Sequence, residues 1–406
     1  MLPFLKRRLA RRAGIFVLVL LAIEFVDEVA FGLDQAALPL IRDALSLNYV
    51  QIGLLFTVPG LVAMVIEPLF GLIADGKYRR RLILGGGVGF VAALVLTGAS
   101  TNFLMLIFAF CLFYPSSGAF VSLSQAALMD VDPARHEQNM ARWTLAGAIG
   151  VFVGPLLLGA IMGTTGNWRD AYLVVALLAF VIWIAATRFS FAKSAQAAAE
   201  EEEGVRASLR EAWRAVRNWN IIRWLVLLEF ADLMMDILNT YLALYFVDVV
   251  NAGESSAGIA VAVWAGVGLV GDLLLIPLLE RVRGLTYLRI SAALNFILYP
   301  AFLLVPGFIP KLIIVALLGF TNAGWYSILQ AQLYSALPGR SGLVVTVNSV
   351  TGIIHDLLPL LIGVAAEALG LGSAMWLMLL GPLALMLGIP RHRSESTAES
   401  AETEAV

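Results

Sequence analysis

The chain has 406 residues, of which 60% are hydrophobic and only 14% charged, and its mean hydropathy is +0.87. That balance excludes an ordinary soluble domain, and a net charge of −2 gives no footing for a nucleic-acid partner. The single cysteine, Cys111, lies in an apolar run and excludes a disulfide within the chain.

In chain order, the first apolar stretch, 14 to 36, follows Lys6, Arg7, Arg8, Arg11 and Arg12. Glu24, Asp27 and Glu28 interrupt it, so it reads as a first span rather than a cleaved leader. Further windows lie near 49 to 74, 82 to 99, 103 to 128, 143 to 163 and 171 to 190. Six others lie near 221 to 248, 256 to 279, 287 to 305, 310 to 333, 343 to 369 and 373 to 389. A spanning helix needs about 20 mostly apolar residues, so twelve of them occupy about 240 positions and the length fits. With the N-terminus in the cytoplasm, alternating sides place only Arg42, Arg169 and Lys311 outside, out of 27 Lys and Arg. The positive-inside rule is satisfied, and an odd number of spans would break the partition.

Residues 191 to 220 change character. An Ala and Glu run precedes Arg206, Arg210, Arg214 and Arg217 at helical spacing, with Leu209, Trp213 and Val216 on another face. This predicts an amphipathic helix on the inner membrane surface, acting as a tether. The residues after Pro390 are rich in Ser, Glu and Thr and read as a disordered cytoplasmic tail. The expected organisation is an N-terminal six-helix bundle over 1–190, a linker over 191–220, a C-terminal six-helix bundle over 221–390 and a tail over 391–406.

The chain also repeats itself at an offset of 205 residues. Glu24, Phe25 and Asp27 meet Glu229, Phe230 and Asp232; Asp43 meets Asp248; Glu67 and Asp75 meet Asp272 and Glu280. Gln125, Pro133 and Arg135 meet Gln330, Pro338 and Arg340, and after a slip of one residue Pro155 and Gly159 meet Pro359 and Gly363. Charged and proline coincidences in one register point to duplication of a six-helix unit. Parallel repeats of this kind face each other across a midplane cavity.

Gly71, Leu72, Ile73, Ala74, Asp75, Gly76, Lys77, Tyr78, Arg79, Arg80 and Arg81, after the second span, resemble the signature of the major facilitator superfamily, with Tyr78 where that family usually has glycine. In the fifth span Gly147, Gly150, Gly154, Pro155 and Gly159 are similar to the glycine and proline motif of the family's drug and proton antiporters, with Leu158 in place of one glycine. The resemblance implies an all-α fold of twelve transmembrane helices, and an inner-side latch. In that latch Asp75 caps or pairs with a neighbouring helix end, and Arg79 or Arg80 pairs with Asp130, Glu280 being the repeat partner of Asp75. The fifth-span glycines also suit close helix approach.

Acidic residues dominate the span interiors. Glu24, Asp27, Glu28 and Asp34 fall in the first span, Glu67 in the second, Glu229, Asp232 and Asp236 in the seventh, Asp272 in the eighth and Asp356 in the eleventh. A carboxylate at mid-bilayer costs about 2.5–3.5 kcal/mol, so each carries a functional hypothesis. Glu229, Asp232 and Asp236 share one helix face by their spacing. No Lys or Arg lies in the expected interiors, and only His355 offers a positive charge. An excess of carboxyls without fixed cations resolves in two ways: the groups hold protons, or a cationic ligand neutralises them. Tyr114, Asn322, Trp325, Tyr326, Gln330 and Asn348 are expected to add polar and aromatic surface to the cavity.

The expected function is proton-coupled export of a small cationic or amphipathic compound by alternating access, from a monomer in the inner membrane with both termini cytoplasmic. A proton-coupled uptake symporter and a lipid or metabolite exporter of the same fold are the alternatives. An enzyme is disfavoured, because it would need a nucleophile with a base or a metal cluster, and of His136, His355 and His392 two lie outside the spans and none pairs with a His or Cys at metal spacing. No cofactor is implied, and no phosphate-binding loop supports ATP-driven transport.

Overall fold

The computed structural model describes residues 2–73, 78–131, 136–189, 191, 218–336 and 341–390, the side chains of 2–13, 68, 69, 71–73, 136–138, 334 and 341–351 excepted. The linker sequence 192–217, Asp75 and the tail 391–406 lie outside the described residues, and so does the side chain of Asn348.

Every described element is a helix. Helices α1 to α6 are Leu2–Leu45, Tyr49–Ile73, Arg79–Ala99, Phe103–Val131, His136–Thr165 and Trp168–Thr187. Helix α7 runs Trp219–Asp232, passes through a π-helical step at Leu233–Ile237 and continues as Leu238–Asp248. Then come α8, Glu254–Leu279; α9, Gly284–Leu304; α10, Phe308–Asn322 and Trp325–Ala336 about a break; α11, Ser341–Leu369; and α12, Leu371–Gly388. Asparagines set three starts. Asn102, Asn167 and Asn218 accept from Met105 N, Arg169 N and Asn220 N, meeting backbone donors that the first turn leaves free.

Ten of the described helices are long and apolar enough to cross a membrane; α1 and α7, the two richest in carboxyls, are not among them. Helix α1 is also longer than the expected 14 to 36, running unbroken through Pro39 to Leu45. The fourth, seventh and tenth helices carry irregularities that apolar windows do not reveal. In α4, Pro115 lacks an N–H and a π-helical turn follows over Gly118–Ser122. In α10 the chain turns at Gly324, whose φ is +74°.

Helix α1 lies along α5 and α6, α3 on α4 and α6, and α2 on α4. Later in the chain α8 packs on α7 and α10, and α12 on α7 and α9. Among the described residues, early helices join late ones at α2 with α11, α5 with α8, α1 with α7 and α1 with α8. Glycines permit the closest approaches. A Cβ on Gly150 would stand 2.5 Å from Phe25 O, and one on Gly154 2.5 Å from Val29 O and 2.6 Å from Leu33 N, so α5 presses backbone to backbone against α1. Gly53 of α2 likewise meets Pro359 O of α11, whose own Gly363 meets Tyr49 O. Gly159 departs from the expected packing motif: a Cβ there would meet nothing within 4 Å, while the preceding motif residue Pro155 is buried.

Candidate functional site

A cavity of about 1160 Å³ lies where α1, α2, α4, α5, α7, α8, α10 and α11 converge. Seven carboxyls line it: Asp27, Glu28, Asp34, Glu67, Asp236, Asp272 and Asp356. His355 is the basic residue among the described lining, which holds no Lys or Arg. Phe31, Phe56, Phe113 and Trp264 supply apolar and aromatic wall, and Tyr114, Asn322 and Tyr326 also line it.

Several carboxyls are held in place. Ser117 Oγ donates to Asp27 Oδ1 at 2.8 Å, and Tyr172 donates its hydroxyl to Asp34 Oδ1 at 2.6 Å. Gly324 N–H donates to Asp272 Oδ1 at 3.0 Å. Asp356 packs against Gly60 of α2, so it sits on the α2–α11 crossing.

The other expected site residues stand back from the lining. Asp232 is one contact behind it, with Oδ2 2.9 Å from His355 Nδ1; its side chain is 13% exposed and that of His355 43%. Glu24 is buried against Gly147 on the α1–α5 contact. Glu229 Oε2 and Gln330 Oε1 are buried without a hydrogen-bond partner among the described residues, outside the lining. Trp325 corrects the expectation of a cavity aromatic, being fully buried with Nε1 donating to Ser291 Oγ at 2.8 Å. Its polar edge is met inside the helix packing, which leaves nothing for a ligand.

At the α2–α3 end, Arg79 Nη1 pairs with Asp130 Oδ2 at 2.6 Å, and Nη2 reaches Leu123 O at 3.4 Å. Arg80 does not join it; Nε donates to Phe189 O at 3.1 Å and Nη2 to Thr187 O at 2.7 Å, capping α6. Gly71 lies in the last turn of α2 and Glu280 at the C-terminal end of α8.

The cavity lining ends at Asp34, Asn239, Thr240 and Pro359, and beyond them the helices close. Asn239 Nδ2 donates to Gln35 Oε1, and Tyr241 donates its hydroxyl to Pro359 O at 2.6 Å. Further out, Arg42 of α1 pairs with Asp248 of α7, Tyr49 donates its hydroxyl to the same carboxylate, and Tyr49 N–H donates to Glu367 Oε2 at 3.0 Å. Sequence reasoning missed this closure, although the repeat match of Asp43 with Asp248 lay beside it. Lys311, expected on the outer side at the start of the tenth span, is buried there, donating to Tyr245 Oη at 2.8 Å and to Phe302 O and Leu303 O.

Long apolar helices around an acid-lined cavity closed at one end define a membrane transporter built of helices. The chain belongs to the major facilitator superfamily, whose sequence profile matches residues 20–355. The resemblance carried by Gly71 to Arg81 is thereby borne out, and the protein is a multi-pass membrane transporter, not an enzyme.

Among curated proteins, a relative called multidrug resistance protein MdtG from Proteus mirabilis strain HI4320 is 24% identical over 341 residues, 80% of this chain and 82% of its own. The protein of that name from Salmonella paratyphi C is 26% identical over 167 residues, and there the match spans only 41% of the relative. Among solved structures, a bacterial homologue of the human lysosomal transporter Spinster, inward-facing and unoccupied, is similar with a TM-score of 0.73 at 16% identity, covering 93% of this chain and 95% of that one. The nucleoside transporter NupG, as its D323A mutant, gives 0.74 at 11% identity, covering 92% and 98%. At those identities the likeness is one of fold.

Proposed function

We propose that the chain exports a small cationic or amphipathic compound in exchange for protons, by alternating access between two six-helix bundles of twelve spans in all. The bundles are residues 1–190 and 221–390, in an inner membrane, with both termini cytoplasmic and the protein acting as a monomer. One observation carries the charge preference: seven carboxyls line the cavity against one histidine. Carboxylates withdrawn from water without fixed cations are costly, and either protons or a cationic guest relieves that cost. A site that accepts either, but not both at full strength, exchanges one for the other as it turns from side to side. The ion pair and hydrogen bonds at the Arg42 end support reading this conformation as closed outward and open inward.

Direction is supported by the relatives named as multidrug resistance proteins. The charge preference sets this reading above a lipid exporter, whose phosphate calls for Lys or Arg, neither of which the described lining holds.

The test is transport in proteoliposomes with an imposed pH gradient, using tetraphenylphosphonium and ethidium against tetraphenylborate, which matches the first cation in shape and opposes it in charge. Gradient-driven movement of the cations and not of the anion is expected. Movement of the anion, or of neither cation, overturns the reading.

A further inference from the structure

Residues 118 and 323 occupy the same place in the two repeats, and at both the fourth helix of its half leaves α-helical winding: α4 in the π-helical turn from Gly118, α10 in the break at Ala323 and Gly324. Glu67 and Asp272 are likewise matched, one on the second helix of each half. The structure brings the two sets together. In the first half the Glu67 carboxyl packs on Gly118, where a Cβ would lie 2.7 Å from its carboxyl carbon. In the second, Asp272 Oδ1 accepts from Gly324 N–H at 3.0 Å, and Tyr287 donates its hydroxyl to Ala323 O at 2.9 Å. The residue before each irregularity is tied to the first helix of its half. Ser117 Oγ donates to Asp27 Oδ1 at 2.8 Å, and Asn322 Nδ2 donates to Met234 O at 2.8 Å.

A broken helix leaves backbone N–H and C=O groups without intrahelical partners, and away from water side chains must meet them. Asp272 and Tyr287 do so at α10. Gly324 is fixed in a left-handed conformation that glycine alone takes without strain, and a Cβ there would run into the Leu275 side chain. Glu67 and Asp272 also line the cavity. Asp272 is therefore shared between the backbone of a kinked helix and whatever enters, and Glu67 packs on the matching point of α4 while facing the same cavity.

The geometry points to Glu67 and Asp272 as coupling residues that read cavity occupancy into the shape of α4 and α10. With the cavity empty, each carboxyl holds the irregularity it touches. A cation seated against it turns the carboxyl toward the cavity, and the helical segment beyond is freed to move. The second step rests on the cationic-substrate reading; the first does not.

In a Cys111→Ala background, Ser327→Cys places a reporter one turn beyond the α10 break, on the residue whose hydroxyl donates to Gly324 O at 3.2 Å, and every comparison is made within that background so that the loss of this bond is common to all. Adding Asp272→Ala is expected to raise its ligand-free rate of maleimide labelling by about three- to tenfold, the effect of losing one hydrogen bond. Asp272→Asn keeps an acceptor oxygen for Gly324 N–H and restores the slow rate. Tetraphenylphosphonium is expected to speed labelling when Asp272 is present and to leave the Asp272→Asn protein unchanged. An unaltered ligand-free rate in Asp272→Ala overturns the inference, as does a tetraphenylphosphonium response that survives Asp272→Asn. Should Asp272→Ala fail to fold, Tyr287→Phe, which strips another support of the break, carries the same ligand-free expectation. If the unaltered protein does not transport tetraphenylphosphonium, the cationic reading fails and the ligand-free arm still decides this one.

Discussion

Arg42 of α1 and Asp248 of α7 form an ion pair across the α1–α7 contact, beyond the closed end of the cavity, and Tyr49 of α2 donates its hydroxyl to the same carboxylate. The side chains are 15% and 19% exposed, so solvent screens the pair only in part. Arg42→Gln or Asp248→Asn is expected to weaken the closure by about 1–2 kcal/mol, roughly a 5- to 30-fold gain in the outward-open form. Labelling of a Thr240→Cys reporter by a membrane-impermeant reagent added outside measures that gain. No change in labelling would mean that the pair does not hold this end shut.

Asp27 and Asp232 stand at matching places in the repeat but meet different partners, Ser117 and His355. Asp27→Asn and Asp232→Asn keep the side-chain volume and remove the ionisable group. Each is expected to bring gradient-driven transport down to the level of empty liposomes while the protein still folds. Full transport by both variants would remove them from the coupling machinery.

The α1–α5 contact makes a stability prediction with a built-in control. Gly154→Val places methyl groups against Val29 O and Leu33 N and is expected to cost about 1–3 kcal/mol, seen as a lower melting temperature in detergent. Gly159→Ala, whose Cβ meets nothing within 4 Å, is expected to melt as the parent does. A melting temperature that falls more for Gly159→Ala than for Gly154→Val contradicts the packing described.

Neighbouring arginines of α3 differ sharply. Arg79 is 3% exposed and bonded to Asp130, so Arg79→Gln is expected to lose about 1.5–3 kcal/mol, the range for hydrogen bonds to charged groups. Arg80 is exposed and caps carbonyls at the end of α6, where Arg80→Gln costs about 0.3–1 kcal/mol. Thermal melts of the two variants rank them, and the reverse order would show that Asp130 is not the stabilising partner.

Much of this was legible from residue order alone. Apolar windows located the spans because a bilayer-crossing helix must be apolar over a fixed length, and the helices begin and end within a few residues of those windows apart from the early start and late end of α1 and the early start of α5. The kinks were not legible. Gly118, Gly324 and the π-helical step in α7 disturb hydrogen-bond partners without changing hydropathy, so a composition window passes over them. The carboxyls were legible as a set because charge is conspicuous in an apolar background, yet which of them face the cavity was not. Glu24 and Glu28 are one turn apart on α1, and the first packs against Gly147 of α5 while the second lines the opening.

Residue order determined that this chain is a multi-helix membrane protein with charged and proline residues recurring at an offset of 205, a family signature after its second span and an acid-rich interior, since each of these follows from local composition and spacing. Tertiary structure decided which carboxyls are shared with the cavity, that Trp325 is sealed inside the packing, that Arg79 rather than Arg80 meets Asp130, and that Arg42 and Asp248 close one end. Those outcomes depend on helix rotation and on contacts between residues as many as 318 positions apart, which no periodicity within a single helix encodes.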